Sequence, residues 1–131
     1  MEEWTKTTFK KKIFDSYLHD YKINTSEFDN YIFGKEKIAI LLEDVDNNLF
    51  GLFIDSKIMT YRYGRNGQWS RQDVKDPKCF IFSLNSCGRS KEMVKINIKK
   101  EESNFSFSLY EKHDKALFST GIQNDICIMN R

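Results

Sequence analysis

The sequence predicts a mainly β (α+β) fold, an antiparallel β-sandwich with one or two short flanking helices. Three observations carry that reading. From residue 37 onward apolar side chains recur at every second position, the period of a strand with one covered face. Asp, Asn and Gly clusters punctuate those runs, as turns between antiparallel strands do. One short N-terminal stretch keeps the helical i, i+4 spacing instead.

The chain has 131 residues, which suits one domain spanning 1–131. Its 40% hydrophobic and 15% aromatic content, with eleven Phe, exceeds what a disordered chain carries. In order along the chain, "KIFDS" at 12–16 reads as a short strand built on Ile13 and Phe14. "NTSEFDNYIFG" reads as a helix, with Asn24 and Glu27 in capping positions, Phe28 and Ile32 on one side, and Gly34 at its end. "KIAILLED" and "LFGLFID" around "VDNN" read as a hairpin. Ile38, Ile40 and Leu42 fall on one face of the first strand, and Phe50, Leu52 and Ile54 on one face of the second. Gly51 marks a close backbone approach or a bulge.

"DPKCFIFSL" at 76–84 starts on an Asp-Pro turn. It continues as a strand apolar on both faces, Phe80, Phe82 and Leu84 against Cys79 and Ile81, which places Phe80 and Phe82 in the core. "EMVKINIKK" turns Val94, Ile96 and Ile98 one way. "NFSFSLY" sets Phe105, Phe107 and Leu109 against Ser106, Ser108 and Tyr110. Each is expected as a half-buried strand with a wet face. "KALFSTGIQNDICIM" supplies two further strands around Gly121.

The formal net charge of +2, from 21 basic and 19 acidic residues, lacks the basic excess of a dedicated nucleic-acid binder. No apolar stretch is long enough to span a membrane. The N-terminus lacks the apolar centre of a signal peptide, so a cytoplasmic location is expected. The three cysteines, at 79, 87 and 127, form no C-x-x-C pair. Cys79 and Cys127 lie in apolar runs and are expected as buried, reduced thiols. Cys87, in "NSCGR" beside Arg89, is the one candidate reactive thiol.

No catalytic constellation emerges, and no cofactor or metal is expected. "DVDNNLFGLFID" carries Asp44, Asp46 and Asn48 at calcium-loop spacing, but Leu49 stands where such a loop needs Gly, so a plain hairpin turn is the simpler reading. His19 and His113 have no metal-ligand spacing. The candidate partner-binding residues are Tyr61, Arg62, Tyr63, Arg65, Trp69 and Arg71, where guanidinium and aromatic side chains interleave. Such a set suits a protein interface. It also suits single-stranded nucleic acid, or a hairpin whose aromatics cover the core.

The order of "KIFDS", "FDNYIFGKEKIAILLEDVDNNLFGLF", "DPKCFIFSL" and "STGIQNDICI" resembles the TLDc domain family, most closely its short, Lys- and Asn-rich members from amoebae. The likeness runs from about Trp4 to Met129. It departs from the family at Leu52 and Phe53, where a small residue usually follows the Phe-Gly pair, and in lacking the family's further C-terminal strands. The resemblance implies a β-sandwich with short helices and a non-catalytic regulatory role. It also implies protection against oxidative stress and a protein partner among the vacuolar proton pump (V-ATPase) subunits. A missing C-terminal strand would leave an open edge through which the chain could self-associate. An enzyme with an unrecognised site, or a single-strand nucleic-acid binder through 61–71, are the alternatives.

Overall fold

A computed structural model describes residues 2–19, 25–59, 72–88, 92–110, 116–121 and 125–129. Among these residues two short α-helices, α1 (Glu2–Thr5) and α2 (Thr25–Ile32), precede eight strands. The strands are β1 (Ile38–Glu43), β2 (Leu49–Ile54), β3 (Gln72–Val74), β4 (Phe80–Asn85), β5 (Val94–Asn97), β6 (Phe107–Leu109), β7 (Ala116–Thr120) and β8 (Ile126–Met129). A 3-10 helix, Lys100–Phe105, leads into β6. The strands form two antiparallel four-stranded sheets, ordered β1-β2-β4-β5 and β3-β6-β7-β8. The fold is therefore mainly β and sandwich-like.

The β1–β2 hairpin follows the period-two pattern. Ile38 pairs with Ile54, Ile40 with Leu52 and Leu42 with Phe50, so the two apolar rows coincide. The turn closes on Asp44, whose carboxylate accepts the backbone N–H groups of Asp46 and Asn48, both at 2.9 Å. Asn47 takes the left-handed conformation there, at φ 61°, which Asn tolerates better than most residues.

The main core lies where the two sheets share one apolar cluster. Leu52 and Ile54 of β2 meet Phe107 and Leu109 of β6 and Leu117 and Phe118 of β7 in it. Helix α2 adds Phe28 and Ile32 to the same cluster, and the Phe28 ring stacks on Phe118 at 5.5 Å. Eight residues make a helix too short to stand alone, so this contact holds it. Gly34, at φ 73°, follows the last turn and donates its N–H to Ile58 O at 2.7 Å.

A second, smaller cluster covers the other face of the first sheet. Phe53, Phe80 and Phe82 form it, with Trp4 of α1 packed on them. The Trp4 and Phe80 rings meet edge to face at 6.2 Å and 87°. Phe80 and Phe82 are buried as the sequence predicts, yet on the side of the sheet away from the inter-sheet core. Gly51 makes room for Phe82, since a Cβ there would stand 2.9 Å from the ring's Cζ and 1.9 Å from Ile40 O. The ladder also slips beside it, between Leu49 and Phe50. Close approach and bulge thus occur together.

Several sequence expectations fail, each for a local reason. "KIFDS" is no strand, because the chain turns at Asp15. Its carbonyl accepts the N–H groups of Leu18 and His19, and its carboxylate accepts that of Tyr17. "NFSFSLY" begins in the 3-10 helix, and only Phe107–Leu109 extends as strand. Ser106 and Ser108 are buried, at 0% and 1% exposure, so that strand has no wet face. Cys79 is buried, but Cys127 is exposed, because β8 lies at the edge of its sheet and turns this side chain outward. The capping residue Asn24, His113 and the whole 60–71 stretch lie outside the described residues.

Candidate interaction surface

Strand β5 is the unusual element. It pairs with β4 on one side, and on the other no strand lies beside it among the described residues. All four of its residues are exposed. Its register continues the inner-face row of the sheet, from Ile40 through Leu52 and Ile81 to Ile96. Along that row exposure climbs from 0% at Leu52 to 56% at Ile96. Val94 and Met93 are exposed as well, so the side chains of Met93, Val94 and Ile96 each face solvent along this sheet edge. The expectation of a half-buried strand is thereby corrected. The alternation is present, but the covering layer does not reach it.

The backbone of β5 divides its polar groups between its two sides. Ile98 N–H donates to the carbonyl of Cys79, the residue just before β4, at 3.5 Å. In an antiparallel ladder such groups alternate from residue to residue. Even-numbered residues therefore face β4, and Lys95 and Asn97 aim their N–H and C=O groups at the open side. An edge of this kind is a template for one more strand. The Lys95 side chain folds the other way, its Nζ 4.3 Å above the Phe80 ring.

The residues singled out from sequence are distributed differently. Tyr61, Arg62, Tyr63, Arg65, Trp69 and Arg71 lie outside the described residues, as does Arg89. Cys87 is exposed in the turn after β4. Its N–H donates to Asn48 Oδ1 at 2.8 Å, and its thiol meets Asn47 O at 3.6 Å and the Asn85 amide at 3.8 Å. These neutral contacts tie the turn to the β1–β2 hairpin.

Two polar clusters have structural assignments. Asp76 is buried, and its carboxylate accepts N–H groups from Asp55 at 2.6 Å, Ser56 at 3.1 Å and Lys78 at 3.0 Å. The same residue donates its N–H to Ser103 O and accepts Ser106 Oγ–H on its carbonyl, at 3.0 and 2.7 Å. Thr120 of β7 in turn donates to Ser106 O at 2.5 Å. This network explains why Ser106 is buried. The Asp55 carboxylate sits outside it, in ion pairs with Lys37 at 2.8 Å and Lys78 at 3.4 Å. The hydrogen bond from Lys37 holds the Asp55 carboxyl below its ordinary value. Burial, with the Asp76 charge adding to it, pushes the Cys79 thiol up to about 12.

On the second sheet, Ser108 Oγ–H donates to Asp73 at 2.6 Å and Tyr110 OH lies 2.9 Å from Ser119 Oγ. These bonds join β3 to β6, and the end of β6 to β7. Among the described residues no group of three or more His, Cys, Asp or Glu side chains could hold a metal ion. No helix among them is long and apolar enough to cross a membrane.

No family model matches the chain, and neither a curated protein nor a solved structure matches it. Sequence reasoning missed β5 as a surface because period two looks alike in covered and open strands. One signal was present. "EMVKINIKK" is short and studded with Lys, the composition that edge strands favour.

Proposed function

We propose that this chain is a non-catalytic interaction module that binds another polypeptide by strand addition along β5. One observation carries the reading. An edge strand exposes an apolar face, while its outward N–H and C=O groups have no strand beside them among the described residues. Main-chain bonds would supply affinity and the Met93, Val94 and Ile96 patch selectivity. The mainly β, two-sheet architecture agrees with what the TLDc resemblance implies. On that resemblance the role is regulatory, linked to oxidative-stress protection, with a vacuolar proton pump subunit as a further partner. The Arg and aromatic stretch 61–71 is the candidate for that second contact on its residue types alone.

The test uses Asn97→Pro, which deletes one outward N–H and sets a ring against any incoming strand. The bonds to β4 are kept, because this residue's own N–H points away from it. A photo-crosslinker at Met93 is expected to trap a polypeptide in the parent protein and to lose it in Asn97→Pro. No trapping, or trapping that survives the proline, ends the proposal.

A further inference from the structure

We infer that the strand received by β5 is β5 of a second copy, antiparallel about a two-fold axis through Ile96. This rests on the reading of β5 as a docking edge and names its occupant. The argument is one of register. Only Lys95 and Asn97 of β5 direct backbone groups outward, so a symmetric pair must join outward residues to outward residues. A closed two-fold contact also joins the same surface on both copies.

Three registers near the strand centre satisfy that condition. Centred on Lys95, the pair sets Lys95 against Lys95 of the second copy. Centred on Asn97, it sets Lys95 against Lys99. Like charges directly opposite are destabilising in both. Centred on Ile96, Lys95 faces Asn97 and exchanges both ladder bonds with it. On the other face Ile96 meets Ile96, and Val94 meets Ile98. This one register zips the whole apolar face and separates the ammonium groups. The product is a continuous sheet in which the inner-face row Leu52–Ile81–Ile96 runs on into its symmetry mate.

A contact built on so short a strand falls below the ~1,200 Å² of a standard interface, so the dimer is weak and concentration-dependent. Covalent trapping suits it. At the axis the two residues form a non-hydrogen-bonded pair, with Cα atoms about 4.5 Å apart. That lies within disulfide reach, roughly 4.4–6.8 Å. Neighbours offset by two residues stand about 7–8 Å apart, beyond it.

The experiment places single cysteines by Lys95→Cys, Ile96→Cys or Asn97→Cys in the full chain carrying Cys87→Ser and Cys127→Ser, since both native thiols are exposed. Each variant is first shown by circular dichroism to melt like the parent. Under mild oxidation Ile96→Cys is expected to give a disulfide-linked dimer at least tenfold faster than the other two, with a rate that rises with protein concentration. Adding Asn97→Pro is expected to abolish it. No dimer at position 96, equal rates at all three positions, or fastest reaction at 95 or 97 overturns the inference. If position 96 fails while Asn97→Pro still blocks trapping at Met93, the edge receives a different strand and the docking reading stands. If both fail, both are wrong.

Discussion

Strands β2 and β5 belong to the same sheet and carry apolar side chains at every second position, yet their fates are opposite. In β2, Leu52 and Ile54 are fully buried. In β5, Ile96 is 56% exposed. β2 has β1 on one side and β4 on the other, with β6, β7 and α2 packed in the same cluster. β5 has β4 alone. Period two thus reports which side chains share a face. Whether that face is covered depends on where the strand falls in the sheet.

The contrast can be broken most sharply by truncation. Phe82→Ala, in the neighbouring strand and fully buried over Gly51, is expected to cost about 3–5 kcal/mol in urea unfolding. Ile96→Ala should change stability by no more than about 0.5 kcal/mol, as an exposed surface change does. Similar losses at both sites would show that β5 is covered after all.

Asp76→Ala tests the polar side of the buried region with a smaller effect. Three backbone N–H groups lose their acceptor. Because some of them sit at part-buried positions that water can reach, a loss of about 1–3 kcal/mol is expected. A neutral result would mean that the clasp adds nothing to the packing around it.

The smallest effect sharpens the contrast between covered and open thiols. In the native protein Cys87 and Cys127 should react quickly with a disulfide reagent, and Cys79 only after denaturation. The folded Cys79 thiol is raised from 9.0 to about 12, so the unfolded chain gives up this proton first. Stability from this group is present below pH 9.0 and lost as pH rises toward 12. Cys79→Ala should flatten that alkaline decline.

What the sequence made legible was local. The β1–β2 hairpin could be read because its strands and its Asp/Asn turn are adjacent. The α2 helix could be read because Phe28, Ile32 and Gly34 fall within one short window. What it hid was non-local. Ser106 and Ser108 look like solvent-facing residues until Asp76 and Asp73, some thirty positions earlier, are seen to accept their hydroxyls. "KIFDS" looks like a strand until Asp15 folds back on His19. The openness of β5 is likewise a property of its neighbours. The interaction residues expected from sequence, 61–71, and those proposed around Ile96 are different sets. Residue type suggests the first, and position in the sheet suggests the second.

The Asp76 clasp bears on how the molecule comes apart. One carboxylate grips the segment leaving β2, and the same residue's main chain reaches the serines that lead into β6 and onward to Thr120. Neither layer can peel away without stranding the other's polar groups. Denaturation should therefore proceed in a single all-or-none step, with no half-melted species carrying one intact sheet.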